Sequence, residues 1–458
     1  MKHYFFEKAY LTSRWSQDVL IGVDDSGFIS SIETDVSDHG REKTRGFALS
    51  AIPNTHSHAF QKILAGRTEY RNSTQNNTRD NFWTWRDLMY QFANAVTPED
   101  VKNIAAFLYL EMLKAGYGSV AEFHYLHHQP GGRPYDDPAE MSYAIAAAAQ
   151  DVGIGLTHLP VLYMQGGFGN VPLVERQYRF KQDVEGYLKL LDQLRRTMPA
   201  HQNLGVAFHS LRAVPQGSMA EVLAGIDRKM PVHIHIAEQV KEVEACLEYT
   251  GQRPVEWLLS HHNVDKNWCL VHATHMMDGE ISALAKSGAT ASICTTTEAN
   301  LGDGFFPLKK YLDKGGKISI GSDGNSMINP LEEIRWLEYG ARLCEQKRNI
   351  AASQNNPHTG SALYDAIQKG GAQALGQKTG TIEVGRRADI MVLDGADILL
   401  NQVPEKNILD AAIFSCQHNI VKHVMVAGNW CIQDRQHHAQ EEITAGYMKT
   451  VTRLRSLI

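Results

Sequence analysis

Two histidines one residue apart, His56 and His58, close the segment Ala51-Ile-Pro-Asn-Thr-His-Ser-His58. On a strand, side chains alternate with period 2, so both imidazoles point the same way and can reach one cation. Further polar residues stand just after apolar runs downstream. His124 and Tyr125 follow Ser119 to Phe123, and His209 and Arg212 follow Leu204 to Phe208. Val232-His-Ile-His-Ile-Ala-Glu supplies His235 and Glu238, Cys269-Leu-Val-His supplies His272, and Ile318-Ser-Ile-Gly-Ser-Asp supplies Asp323. His235 is preferred to His233 because it stands nearer the strand's C-terminal end, beside Glu238.

These types suit hydrolysis at a metal. His56, His58, His235 and Asp323 match a Zn²⁺ ion that keeps a position open for water, and iron(II) fits the same donors. Such a cation lowers the pKa of a bound water to roughly 7. An acid must then carry a proton from that water to a departing nitrogen, and Glu238 is the candidate. His272 can stabilise the attacking oxygen or the charge that develops on substrate. Singly, each residue has a plainer reading. His235 could be a hydrogen-bonded core histidine, Glu238 a helix-start acid and Asp323 a turn residue. Jointly, five strand ends would have to acquire the right types in the right order by accident.

The elements needed to position this set are legible. Counting the strand that leads into His56, with Phe47-Ala48-Leu49 as its apolar entry, eight strands alternate with helices. The others lie at Ser119 to Phe123, Gly155 to Pro160, Leu204 to Phe208, Val232 to Ile236, Cys269 to Val271, Ala289 to Cys294 and Lys317 to Ile320. That alternation predicts an α/β fold, a (β/α)8 barrel whose reactive residues sit at the C-terminal strand ends. Thr97-Pro-Glu-Asp predicts a helix start and Gly116 its end. Asn329-Pro-Leu-Glu332 predicts a second start with a capping box. Both termini are rich in strands and turns, including a hairpin turn at Asp24-Asp-Ser-Gly27. They are expected to build one small β-sandwich domain from residues 1–48 and 376–435, around a barrel at 49–375, with a terminal helix at 436–458.

The chain has 458 residues, 43% of them apolar, and a net charge of -6. It therefore supports a substantial core, and the absence of a basic run argues against a nucleic-acid partner. No stretch is long and apolar enough to span a bilayer, and the N-terminus lacks a signal-peptide core. Six scattered cysteines without a C-x-x-C pair read as reduced thiols of a cytoplasmic protein. His261, His262, His437 and His438 read as surface residues, His127 and His128 as loop residues, and Phe82, Trp83 and Trp85 as packing.

With His56-x-His58, His235, His272, Asp323 and the closing Gly380-Thr-Ile-Glu-Val-Gly-Arg-Arg-Ala-Asp-Ile-Met-Val-Leu393, the chain resembles the amidohydrolase superfamily along nearly its whole length. Many members bridge two metals with a carbamylated lysine. Here the fourth strand end reads Ala-Phe-His209-Ser-Leu-Arg212, without lysine, so the resemblance implies one metal. A narrower resemblance is to the formimidoylglutamate deiminase family of histidine breakdown. It rests on Asn54-Thr-His-Ser-His-Ala-Phe-Gln61, Phe82-Trp-Thr-Trp-Arg-Asp-Leu-Met-Tyr90, Glu122-Phe-His-Tyr-Leu-His-His128 and His209-Ser-Leu-Arg212. It implies zinc-dependent deimination of N-formimino-L-glutamate, a substrate pocket of Gln61, Arg86, Tyr125, His209 and Arg212, and a homodimer. One arginine per carboxylate suits this small dicarboxylate, because guanidinium forks bind carboxylates bidentately. The rival expectations are a deaminase of a purine, pyrimidine or pterin ring, and a barrel kept as a non-catalytic scaffold.

Overall fold

The computed structural model describes residues 1–37, 40, 42–69 and 82–455. Its first strands are β1 (Lys2–Leu11), β2 (Arg14–Val23), β3 (Ile29–Glu33) and β4 (Lys43–Ser50). The predicted turn joins β2 to β3. Asp24 Oδ1 accepts from the Ser26 and Phe28 amides at 2.9 Å each, and Gly27 takes a φ of 82°.

The next strands are β5 (Ile52–Ser57), β6 (Tyr117–His124), β7 (Gly155–Leu162), β8 (Asn203–Leu204) and β9 (Val206–Phe208). They continue with β10 (Val232–Ile236), β11 (Trp268–His272), β12 (Thr290–Ile293) and β13 (Lys317–Ile320). The hydrogen-bonded order β6-β5-β13-β12-β11-β10-β9-β7 closes through a β6–β7 pairing, and every pair is parallel. This is a closed barrel of eight strands, the fourth broken into β8 and β9 at Gly205. A Cβ there would lie 2.5 Å from the Leu159 side chain and 2.8 Å from Pro231 O, so only glycine lets the neighbours approach.

The last strands are β14 (Ile390–Leu393), β15 (Val421–Val426) and β16 (Asn429–Ile432). With β1 to β4 they form a separate sheet, in the order β16-β15-β14-β4-β1-β2-β3, made of both termini. Its far edge returns on it, because the Ile29 amide donates to Arg386 O and the Gly385 amide to Ile29 O, both at 2.8 Å. A core of its own holds Phe6, Val19, Ile21, Ala48, Ile390 and Met425.

Phe47-Ala48-Leu49 is not the entry to the first barrel strand. It lies in β4, between β1 and β14, and the barrel strand starts only at Ile52. The apolar run is continuous because its alternate residues face two cores. Phe47 and Leu49 join the main one and Ala48 the smaller one.

The helix Pro98–Ala115 is capped as expected. The Asp100 amide donates to Thr97 Oγ1 at 3.2 Å, the Thr97 amide donates to Asp100 Oδ2 at 2.8 Å, and Gly116 takes a φ of 102°. The helix Pro330–Glu345 departs from expectation. Asn329 Oδ1 accepts from the Leu331 and Glu332 amides at 3.0 and 3.3 Å, but the Glu332 side chain pairs with Arg335 instead of returning to the cap. The closing helix Gln440–Arg455 packs on Pro98–Ala115, with Phe107 and Tyr447 stacked at 4.1 Å. Among the described residues no helix is long and apolar enough to cross a membrane. All six cysteines are free thiols.

Candidate metal centre and its pocket

The barrel topology brings the ends of β5, β10 and β13 together. His56 Nε2 lies 3.1 Å from His58 Nε2 and 3.0 Å from His235 Nε2, and the last two are 3.3 Å apart. Asp323 Oδ1 lies 3.4 Å from His56 Nε2 and 3.3 Å from His58 Nε2. All four side chains are buried. His58 Nδ1 faces Phe123 O and His235 Nδ1 faces His209 O, each at 2.9 Å. A carbonyl can only accept, so these Nδ1 atoms carry the protons and the Nε2 lone pairs converge. Burial lowers the pKa of all three rings, that of His56 to about 3, so the imidazoles are neutral. Neutral lone pairs turned on one another and on a carboxylate suit a cation among them. Tetrahedral zinc with ligand distances of about 2.0–2.1 Å separates its donors by roughly 3.3–3.4 Å, close to the spacing found here.

His233, two residues before His235, is directed elsewhere, its Nε2 lying 2.8 Å from Ala374 O. Ala237, His272 and Asp323 have φ of 51°, 67° and 48°, the left-handed region that non-glycine residues avoid. Local hydrogen bonds hold two of these turns. The Asp323 amide donates to His56 O and the Ala273 amide to Ile236 O, both at 3.0 Å.

His272 Nε2 stands 3.8 Å from both Glu238 Oε1 and Asp323 Oδ2. Burial pushes the Glu238 carboxyl up to about 7, which suits a group that exchanges protons near neutrality. Burial pulls His272 down, but Glu238, Glu298 and Asp323 outweigh it and carry the ring well above the ordinary value.

His58, Gln61, Arg86, Tyr125, His209, Arg212, His235, Glu238, His272 and Asp323 line one pocket. Every residue singled out for substrate or proton transfer is therefore in it, together with three of the four metal candidates. Gln61 Nε2 donates to Tyr125 Oη at 2.8 Å. Arg86 lies over the Tyr90 ring at 5.6 Å, and its neighbour Asp87 pairs with Arg176 at 2.7 Å. Phe82 and Trp85, expected as packing, also line the pocket, and the Trp83 side chain lies outside the described residues.

Other histidines divide by burial. His127 is buried with Nε2 at 2.9 Å from Val161 O, and His128 Nε2 lies 2.7 Å from Lys181 O. His437, expected on the surface, is buried, with Nε2 3.1 Å from the carbonyl of Val152 at the end of the helix Glu140–Val152. His124 and His158 are buried side by side and do not line the pocket.

The sequence reasoning missed Glu298. Its Oε1 lies 3.2 Å from His272 Nδ1 and accepts from the Cys294 amide at 3.0 Å. The signal was present, since Cys294-Thr-Thr-Thr-Glu298 follows β12 as the other candidates follow their strands. Glu122 was also missed. It accepts from the Ala59 amide at 2.6 Å, just past His58, and from Tyr109 Oη at 3.1 Å.

The amidohydrolase family model matches residues 47–431. The formimidoylglutamate deiminase of Pseudomonas aeruginosa is 47% identical over 455 residues, 99% of this chain and 100% of that protein. A 5-methylthioadenosine/S-adenosylhomocysteine deaminase of Natronomonas pharaonis is 23% identical over 92% of this chain and 89% of its own length. Among solved structures, an amidohydrolase from Brucella melitensis superposes with a TM-score of 0.93 at 41% identity, covering 99% of this chain and 100% of that one. An adenosine deaminase from Xanthomonas campestris with bound zinc shares the fold, with a TM-score of 0.80 at 20% identity over 99% of this chain and 98% of its own.

Proposed function

The chain belongs to the amidohydrolase family and is a full-length homologue of formimidoylglutamate deiminase, a hydrolase of C–N bonds, and from that premise we propose that it converts N-formimino-L-glutamate to N-formyl-L-glutamate and ammonia. The observation that carries this reading is the meeting, in one buried pocket, of converging imidazoles, a proton-exchanging glutamate and two arginines.

In this reading His56, His58, His235 and Asp323 hold one divalent cation, zinc before iron(II). When bound, it supplies the positive charge that makes a water acidic and polarises the C=N bond. Glu238 takes both protons of the attacking water in turn, giving the first to the imino nitrogen as the oxygen adds and the second as that nitrogen departs, while the oxygen becomes the formyl carbonyl. The C–O bond forms, the C–N bond to the terminal nitrogen breaks, and ammonia leaves. His272, charged by its carboxylate neighbours, faces the same space and stabilises the negative charge on the attacking oxygen, with Asp323 beside it. Arg86 and Arg212 bind the two carboxylates, and Gln61, Tyr125 and His209 orient the formimino end. The likeness to the Pseudomonas aeruginosa deiminase supports the deiminase activity, and zinc, a homodimer, the cytoplasm and histidine breakdown are proposed along with it.

The test is incubation with N-formimino-L-glutamate, following ammonia and N-formyl-L-glutamate together. Equal amounts of both are expected. No ammonia from this compound, with ready release from a purine nucleoside, would replace this reading with a ring deaminase.

A further inference from the structure

Between β7 and β9 the chain makes a long crossing that includes the short helical turn Glu175–Phe180. Buried Arg179 anchors that turn, donating to Ala93 O and to Val96 O beyond the helix Phe82–Ala93, and to His128 O. On the same turn, Phe180 packs against Tyr90, Tyr125 and Tyr163, with ring centroids 5.8, 5.0 and 5.8 Å away. Gln177 stands beside it, also buried.

The Gln177 amide has a determined orientation. Its Oε1 accepts from the Val174 amide at 3.0 Å, so that end must be the oxygen. Its Nε2 therefore donates both hydrogens, to Tyr163 Oη at 2.9 Å and to Tyr90 Oη at 3.2 Å. Each phenol oxygen is thus an acceptor toward Gln177 and must aim its own hydrogen elsewhere. The two hydroxyls also bond to each other, which uses one hydrogen within the pair and leaves one over. Among the described residues no further acceptor for either hydroxyl is found, and both tyrosines line the pocket with Arg86 and Arg212. Tyr163 also meets the His209 ring edge-on at 4.5 Å, which places it beside the candidate substrate residues. Burial first, and Tyr90 in addition, keep the Tyr163 phenol protonated although Arg212 and Arg86 both bear on it. A neutral donor beside two guanidinium groups favours an acceptor-only anion.

We propose that Tyr90 and Tyr163 form a specificity-determining pair whose one spare hydroxyl hydrogen is donated to a substrate carboxylate, and that Gln177 is the positioning residue that turns that hydrogen into the pocket. This deepens the deiminase reading and rests on it for the identity of the substrate.

Tyr163→Phe and Tyr90→Phe test the contact, and Gln177→Leu tests the positioning. Each is expected to raise KM for N-formimino-L-glutamate about 10-fold with kcat within about 2-fold, the pattern of a lost binding contact. The same variants are assayed on the N-formimino derivatives of 4-aminobutanoate and 2-aminobutanoate, each lacking one carboxylate. With whichever lacks the group read by the tyrosines, variants and wild type should have equal KM. A wild-type KM in both phenylalanine variants, or equal losses on all three compounds, would overturn the proposal.

L-Glutamate as a probe in thermal unfolding gives a readout independent of turnover. It should raise the melting temperature of the wild type and raise it less in Tyr163→Phe. No shift in the wild type, or an equal shift in both, counts against the proposal. Wild type that binds L-glutamate in this way but releases no ammonia would instead remove the deiminase reading.

Discussion

His272 Nδ1 lies 3.2 Å from Glu298 Oε1, and both side chains are buried. Glu298 stands one strand over, after β12, and takes one ring nitrogen, so the other is left to face Glu238 and Asp323. A carboxylate on the far nitrogen fixes the ring's orientation and raises its basicity. Glu298→Gln keeps the size and removes the charge. We expect kcat to fall about 10- to 100-fold with metal content unchanged, since such supporting partners have effects of that order. Steady-state kinetics beside metal analysis checks this, and unchanged kcat would show that His272 acts without its partner.

Glu238→Gln should retain the cation and lose about 10²- to 10⁴-fold in kcat, the range for a positioned proton carrier. Glu238 is not among the converging donors His56, His58, His235 and Asp323, so metal loss in this variant would contradict the division of roles. Quantitative metal analysis of the purified variant, with its kcat, decides.

Arg212→Ala should raise KM for the dicarboxylate about 10- to 100-fold, because hydrogen bonds to charged groups contribute about 1.5–3 kcal/mol. For a neutral amidine the change should be small. Equal effects on both compounds would argue that Arg212 serves the pocket wall rather than a carboxylate.

Glu122 links stability to pH. Burial pushes its carboxyl from 4.5 up to about 8, even though the Ala59 amide and Tyr109 donate to it. The folded state therefore holds this proton where the unfolded chain has lost it, and stability falls as pH rises between those two values. The slope from this one group reaches at most about 1.4 kcal/mol per pH unit, and no further loss from it occurs above the folded value. Denaturant unfolding of wild type and Glu122→Gln across pH 5 to 9 measures it. The variant should show the shallower dependence, and parallel curves would refute the assignment.

How much of this was legible follows from where each residue sits. His56, His58, His235, His272 and Asp323 stand at or just past the ends of short apolar runs, where the strand period and the barrel rule make a polar residue conspicuous. Glu298 stands four residues beyond Cys294 inside the helix Thr295–Leu301, where an acid reads as an ordinary first-turn residue. Tyr163 stands just past β7, Gln177 in the turn Glu175–Phe180 and Tyr90 in the helix Phe82–Ala93, so no common spacing announces them. Phe47 to Leu49 misled because a strand buried on both faces looks the same in either sheet. β1 was not singled out in advance. Its buried partners lie mostly in β2 and β4, and only three-dimensional pairing distinguishes its alternation from loop.

The central claim is that three imidazoles and one carboxylate hold a single catalytic cation. X-ray absorption on the purified enzyme, with metal quantified on the same sample, tests it most directly. The account predicts one divalent ion per chain with nitrogen and oxygen donors at about 2.0–2.1 Å, lost together with ammonia release in His235→Ala and Asp323→Ala. Full turnover of N-formimino-L-glutamate by protein stripped of metal, or by either variant, would contradict it.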